Sequence, residues 1–212
     1  MKYQDLVKKF KDTPFIELKE ILASTKDSAN QIKNQLYQWA KQGKLERLCR
    51  GNYLLSESYR KHAPSVYYIS NYLYRPSYVS LHTALQFYGL IPEAVNNIQA
   101  VTPKHGQERD TSFGVFKYYS IKQERFWGYK EIILSKENKQ NKFLMALPEK
   151  ALLDFFYFQK GSWPVARIRE MRFQGLDSIN IEIMRKFAIK YESPKILQAA
   201  GNFIKYIQEN NK

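Results

Sequence analysis

Apolar and polar positions alternate in a way that divides the chain early. Leu6, Val7 and Phe10 fall at i, i+1 and i+4, which predicts a helix over residues 2–11 before Thr13-Pro14 interrupts it. Phe15, Leu18, Ile21 and Leu22 form a second helical stripe ending near Ala23, and residues 24–28 are polar and turn-like. Ser28 is placed to cap a third helix running through Gln42, with an inward stripe of Ala29, Ile32, Leu36, Trp39 and Ala40. Gly43 stops it, as glycine does at helix C-termini. Leu45–Cys49 and Asn52–Leu55 then read as two short strands around an Arg50-Gly51-Asn52 turn. Helix, helix, tight turn, helix, hairpin is the order of a winged helix-turn-helix, predicted over residues 1–60. Such a fold sets its recognition helix in the major groove.

Residues 56–66 are polar and weakly patterned, and are expected to be a linker. The remainder, residues 66–212, reads as a larger mixed α/β domain, so the whole is expected to be an α+β protein. Ser80 is expected to cap a helix over 81–88 that Gly89 ends; strands are expected over 98–102 and 113–120, with two more runs flanking Trp127-Gly128-Tyr129. Pro148 opens a strongly apolar helix to about Gln159, as proline favours the first helical position. Helices near 164–173, 179–191 and 194–209 follow, and residues 136–142 look like a solvated loop.

Composition narrows the classes. The 212 residues can bury a real core, and 44% apolar with 25% charged residues excludes a disordered chain. No apolar run nears the roughly 18 residues of a membrane span, and residues 1–12 lack a signal-peptide core. The single cysteine, Cys49, excludes an internal disulfide and a cysteine-cluster zinc site, so a cytoplasmic protein without membrane association is expected. Net charge is +14, spread as +6 over residues 1–62 and +8 beyond, which makes polyanions the natural partners.

The third helix carries the most informative chemistry. Opposite its apolar stripe lie Asn30, Lys33, Asn34, Tyr37 and Lys41, flanked by Gln31 and Gln38. Amide side chains pair a donor with an acceptor and match adenine's major-groove edge, while lysines hold phosphates. An ordinary solvated helix face is the alternative. On the hairpin, Arg47, Arg50 and Asn52 are candidates for backbone or minor-groove contacts, whereas Tyr53 is expected to pack on its own domain and Cys49 to be a small buried hydrophobe.

Enzymatic signals are thin. His62, His82 and His105 match no metal spacing, no glycine-rich phosphate loop occurs, and neither metal nor cofactor is expected. Glu149, Lys150 and Asp154 resemble the acidic pair and lysine of metal-dependent nucleases. Yet Glu149 and Asp154 are five apart and point to different faces of the helix, whereas Lys150 and Asp154 form an i, i+4 ion pair, which favours a structural role. A second basic group, Arg167, Arg169 and Arg172 with Arg185 and Lys186, reads equally as an extension of a DNA footprint, a surface for an acidic partner, or a solvated face.

Several segments together carry a family resemblance. They are Arg50-Gly51-Asn52-Tyr53 closing the hairpin, Tyr78-Val79-Ser80-Leu81-His82-Thr83-Ala84-Leu85 with Tyr88-Gly89-Leu90-Ile91-Pro92, then Val101-Thr102-Pro103 and Leu147-Pro148-Glu149-Lys150-Ala151-Leu152-Leu153-Asp154. With these the chain resembles the AbiEi family of antitoxins and transcriptional regulators, from the abortive-infection (type IV) toxin–antitoxin systems of bacteria and archaea. The resemblance spans most of the chain, but residues 179–209 match no signature of that family. It implies a repressor of its own operon, acting on double-stranded operator DNA with inverted repeats. It also implies an antitoxin to a nucleotidyltransferase toxin without a stable complex between the two. Family members also act as stand-alone regulators, so three readings stay open at this point: regulator and antitoxin, nucleic-acid-processing enzyme, and interaction module.

Overall fold

The computed structural model describes residues 1–61, 63–134 and 141–210. The chain is a mixed α+β protein of two compact units, Met1–Ser65 with Ile133–Lys142, and Val66–Ile132 with Phe143–Lys212.

The first unit runs α1 (Tyr3–Phe10), β1 (Ile16–Glu17), α2 (Leu18–Ala23), α3 (Ala29–Lys41), β2 (Leu45–Cys49) and β3 (Asn52–Leu55). The helix α3 starts where Ser28 Oγ accepts the Gln31 N–H at 3.3 Å and Gln31 Oε1 accepts the Ser28 N–H at 3.0 Å, a reciprocal cap. Beyond its last residue, Lys41, Gly43 turns the chain at a φ of +69° that favours a residue without Cβ. Ile32 and Leu36 are fully buried among Leu6, Phe10, Ile21, Leu45 and Leu55, each contributing about 1.5–3 kcal/mol through burial. Ala29, the first residue of α3 and expected on that inward stripe, is instead exposed.

Three further expectations need correction here. The second stripe is not helical from its start: Ile16 pairs with Tyr53 and Glu17 with Asn52, giving a three-stranded sheet ordered β1-β3-β2. Pro14 and β-branched Ile16 favour extended backbone, and Phe15 still reaches the core from it. Residues 56–61 are not a free linker. The Ser56 N–H donates to Lys44 O at 3.1 Å and the Lys61 N–H to Lys11 O at 3.3 Å, while Arg60 faces Glu46 at 3.6 Å. Cys49 is half-buried rather than buried.

The second unit contains α4 (Val66–Leu73), β4 (Tyr78–Val79), α5 (Leu81–Phe87), β5 (Asn97–Thr102), β6 (Gln107–Thr111), β7 (Gly114–Ser120), β8 (Tyr129–Ile133), β9 (Lys142–Ala146), α6 (Pro148–Phe158), α7 (Val165–Glu170), α8 (Ile181–Lys190) and α9 (Pro194–Asn210). Its six-stranded sheet is ordered β6-β7-β5-β4-β9-β8. Pairing is mixed: β4 runs antiparallel to β5 and parallel to β9, and β7 runs parallel to β5 and antiparallel to β6. The helix α6 is buried from Glu149 to Phe156 and packs against α5, α8 and α9, which makes it the spine of this unit. Trp163, Phe156, Phe173 and Phe203 form an aromatic cluster beside it.

Only one of the runs beside Trp127-Gly128-Tyr129 is a strand, β8; a short 3-10 turn over Gln123–Arg125 precedes the pair. Ser80 sits at the N-cap position of α5, but its hydroxyl is drawn to Asp154 and makes no cap. Of the expected loop at 136–142, residues 136–140 lie outside the described residues, as does His62. Asn141 is buried, its Oδ1 accepting the Ser65 N–H at 3.0 Å, and Lys142 opens β9.

Candidate nucleic-acid interface

The residues opposite the buried stripe of α3 share one open face. Asn30, Gln31, Lys33, Asn34, Tyr37, Gln38 and Lys41 are all exposed. Tyr37 is 63% exposed, far more than a phenol needs to satisfy its hydroxyl in water. Among the described residues no side-chain hydrogen bond or ion pair engages Asn30, Lys33, Asn34, Tyr37, Gln38 or Lys41. Gln31 differs: its carbonyl oxygen serves the Ser28 cap, so only its amide nitrogen remains available. The helix thus presents amides, ammonium groups and a phenol from a backbone fixed by Ile32, Leu36 and both termini.

In the hairpin, Arg47 and Arg50 are exposed and likewise without an internal partner. The strand β2 carries a bulge between Arg47 and Cys49, beside the turn at Arg50-Gly51. Asn52 belongs to the turn itself. Its Nδ2 donates to Cys49 Sγ at 3.2 Å and to Arg50 O at 3.4 Å, so it shapes the tip instead of reaching outward. Tyr53 packs on the core of the unit.

A second polar group is the opposite in character. Lys150 and Asp154 on α6 are fully buried and form a close ion pair. Asp154 Oδ2 accepts the Tyr78 hydroxyl at 3.0 Å and the Ser80 hydroxyl at 2.8 Å, and its Oδ1 accepts the Tyr191 hydroxyl at 2.9 Å. The Lys150 ammonium also donates to Tyr78 Oη at 3.0 Å and lies 5.0 Å from the Trp127 ring centre and 4.8 Å from that of Tyr191. Gly128, at φ +77°, makes room: a Cβ there would lie 3.0 Å from Lys150 Cγ.

Burial pushes the Tyr78 and Tyr191 hydroxyls well above their ordinary range, with the Asp154 charge adding to it. Burial lowers Lys150, opposed by Asp154. Every oxygen of Asp154 is occupied and no surface of it meets solvent. Glu149 is turned elsewhere, its Oε1 accepting the Asn180 N–H at 2.8 Å, as the five-residue spacing predicts. The constellation holds strand, loop and helices together. Nothing in the one-dimensional pattern marked Tyr191; Tyr78 and Ser80, two apart on an extended segment, had to face one side.

The second basic group does not act as one patch. Arg167 stacks at 3.9 Å on Trp163 and donates to the Lys160 and Ser162 carbonyls, both at 2.8 Å. Arg169 pairs with Glu209 at 2.6 Å. Arg172, Arg185 and Lys186 are exposed. Among the described residues no three His, Cys, Asp or Glu side chains gather in a way that would hold a metal ion, and no helix is long and apolar enough to cross a membrane. No protein-family model matches the chain, and a search of curated proteins finds no significant match.

Proposed function

We propose that this protein is a sequence-specific DNA-binding regulator whose first unit is a winged helix-turn-helix. The observation that carries this reading is the unpartnered row on α3, Asn30, Lys33, Asn34, Tyr37, Gln38 and Lys41, combined with the free guanidinium groups of Arg47 and Arg50 on the hairpin. Polar side chains with no internal partner contribute little to the fold, but they complement a duplex: amides for adenine edges, cations for phosphates. The element order α1-β1-α2-α3-β2-β3 and the small antiparallel sheet support the same reading, as does the net charge of +14.

The resemblance to the AbiEi family extends the proposal. The regulator represses its own operon through inverted repeats and counteracts a nucleotidyltransferase toxin without forming a stable complex with it. The saturated surroundings of Asp154 favour this over the nuclease alternative. Selection of bound duplexes from a random library tests the DNA reading. A defined motif at physiological salt is expected, and binding that is uniform across sequences overturns it. Co-expression with the nucleotidyltransferase encoded beside it, if one is, tests the antitoxin reading through rescue of growth.

A further inference from the structure

Most aliphatic residues of α8 and α9 serve the core, among them Met184, Ala188, Ile196 and Ile207. Ile189 and Leu197 do not. They are 67% and 46% exposed, and both line a groove of about 430 Å³ formed by residues of the two helices. Aliphatic groups facing water inside one recess leave apolar surface that a partner could cover.

The floor of that groove contains Gly201, within the seventeen residues of α9. Glycine in a helix interior destabilises it relative to alanine. Nothing in this unit requires it: a Cβ at Gly201 meets no atom within 4 Å. A missing side chain on an open helix face lets another backbone approach closely, and Gly201 lines the same groove as the two exposed aliphatic residues.

The rim gives the sign of the visitor. Arg185 and Lys205 are the charged groups lining the groove, and neither has an ion-pair partner among the described residues. Glu209, further along α9, is taken by Arg169. A second copy docking through the same face would set these cations against their own equivalents, on a chain already at +14. We infer that the α8–α9 groove receives an acidic amphipathic helix of a protein partner. Its apolar residues at i, i+4 and i+7 would lie between Ile189 and Leu197 and over Gly201, with carboxylates on Arg185 and Lys205. This inference is independent of the DNA reading, which concerns the other unit.

The test uses the full-length chain and a fluorescein-labelled synthetic peptide of about sixteen residues, some four to five helical turns. The peptide carries leucines at i, i+4 and i+7 flanked by glutamates; its control carries lysines in their place. Fluorescence anisotropy is expected to show saturable binding of the glutamate peptide, with the lysine peptide at least about tenfold weaker. The double variant Arg185→Glu/Lys205→Glu is expected to invert that preference. Gly201→Leu, which fills the groove with a better helix former, is expected to abolish binding while the melting midpoint stays level or rises. Equal binding of both peptides, or no binding of either, overturns the proposal. So does a concentration-dependent dimer that Leu197→Asp dissolves, since the groove's occupant is then a second copy.

Discussion

Helices α3 and α6 carry similar chemistry in opposite circumstances. Along α3, Lys33, Asn34, Tyr37 and Lys41 stand in water with no internal partner. Along α6, Lys150 and Asp154 are sealed from water; the carboxylate accepts from Tyr78, Ser80 and Tyr191, and the ammonium donates to Asp154 and Tyr78. The difference separates two uses of polar side chains. A buried, saturated cluster is explained by the fold that surrounds it, because leaving any member unpaired would be costly. An exposed, unsaturated row is not explained by the fold at all, and its free energy is realised only when a complementary surface arrives. The five-residue spacing of Glu149 and Asp154 already favours a structural role, and their separate, buried environments agree with it.

The comparison is open to attack from both sides. The largest effect is expected at Asp154→Ala, which leaves the Lys150 ammonium buried without its carboxylate and should cost about 3–5 kcal/mol in urea unfolding of the second unit. A loss under about 1 kcal/mol would mean that the pair is solvated after all. Next is Asn34→Ala, expected to remove about 1–3 kcal/mol of discrimination at one base pair of a selected duplex. Its unfolding free energy should move by no more than about 0.5 kcal/mol, as for an exposed residue without contacts. Lys41→Ala is expected to weaken binding to all duplexes alike and to reduce the slope of log K against log salt by about one; a change confined to one sequence would make Lys41 a base reader.

The smallest effect is a pH dependence on the buried side. Tyr88 donates to Ala146 O at 2.9 Å, and burial, helped by the Glu149 charge, raises its hydroxyl to about 12 from an ordinary 10.0. Between those values the unfolded chain has released a proton that the folded chain retains, so stability falls as pH climbs from 10.0 towards about 12. Thermal midpoints measured across that window should decline less steeply in Tyr88→Phe than in the unchanged protein.

Much of the candidate interface was legible because it depends on local rules. The Ser28 cap, the Ile32 and Leu36 stripe, the Gly43 stop and the hairpin strands all follow from residues close in sequence, and the structure has each of them. What escaped depends on distant partners. The strand β1 is too short to show any alternation and exists because β3 offers it an edge. The strand β6, Gln-Glu-Arg-Asp-Thr, has no apolar face at all and is held at the sheet's edge by pairing with β7. The helix α4 was hidden in a tyrosine-rich run whose Ile69, Ser70 and Leu73 face inward. Ser80 shows the same limit at a single atom: the local pattern made it a cap, and a carboxylate 74 positions away claimed its hydroxyl. Gln31 and Asn52, both read as outward-facing, turned out to be fastening their own helix and turn.

The enclosure of Lys150 has a practical consequence. Acylating reagents attack amines they can reach, and the exposed lysines of this chain lie open to them. Lys150, under Gly128 and ringed by Tyr78, Trp127 and Tyr191, is out of reach until the second unit opens. Its acylation rate, followed by mass spectrometry of one peptide, is therefore a built-in clock for that opening, readable in the intact protein without any added label.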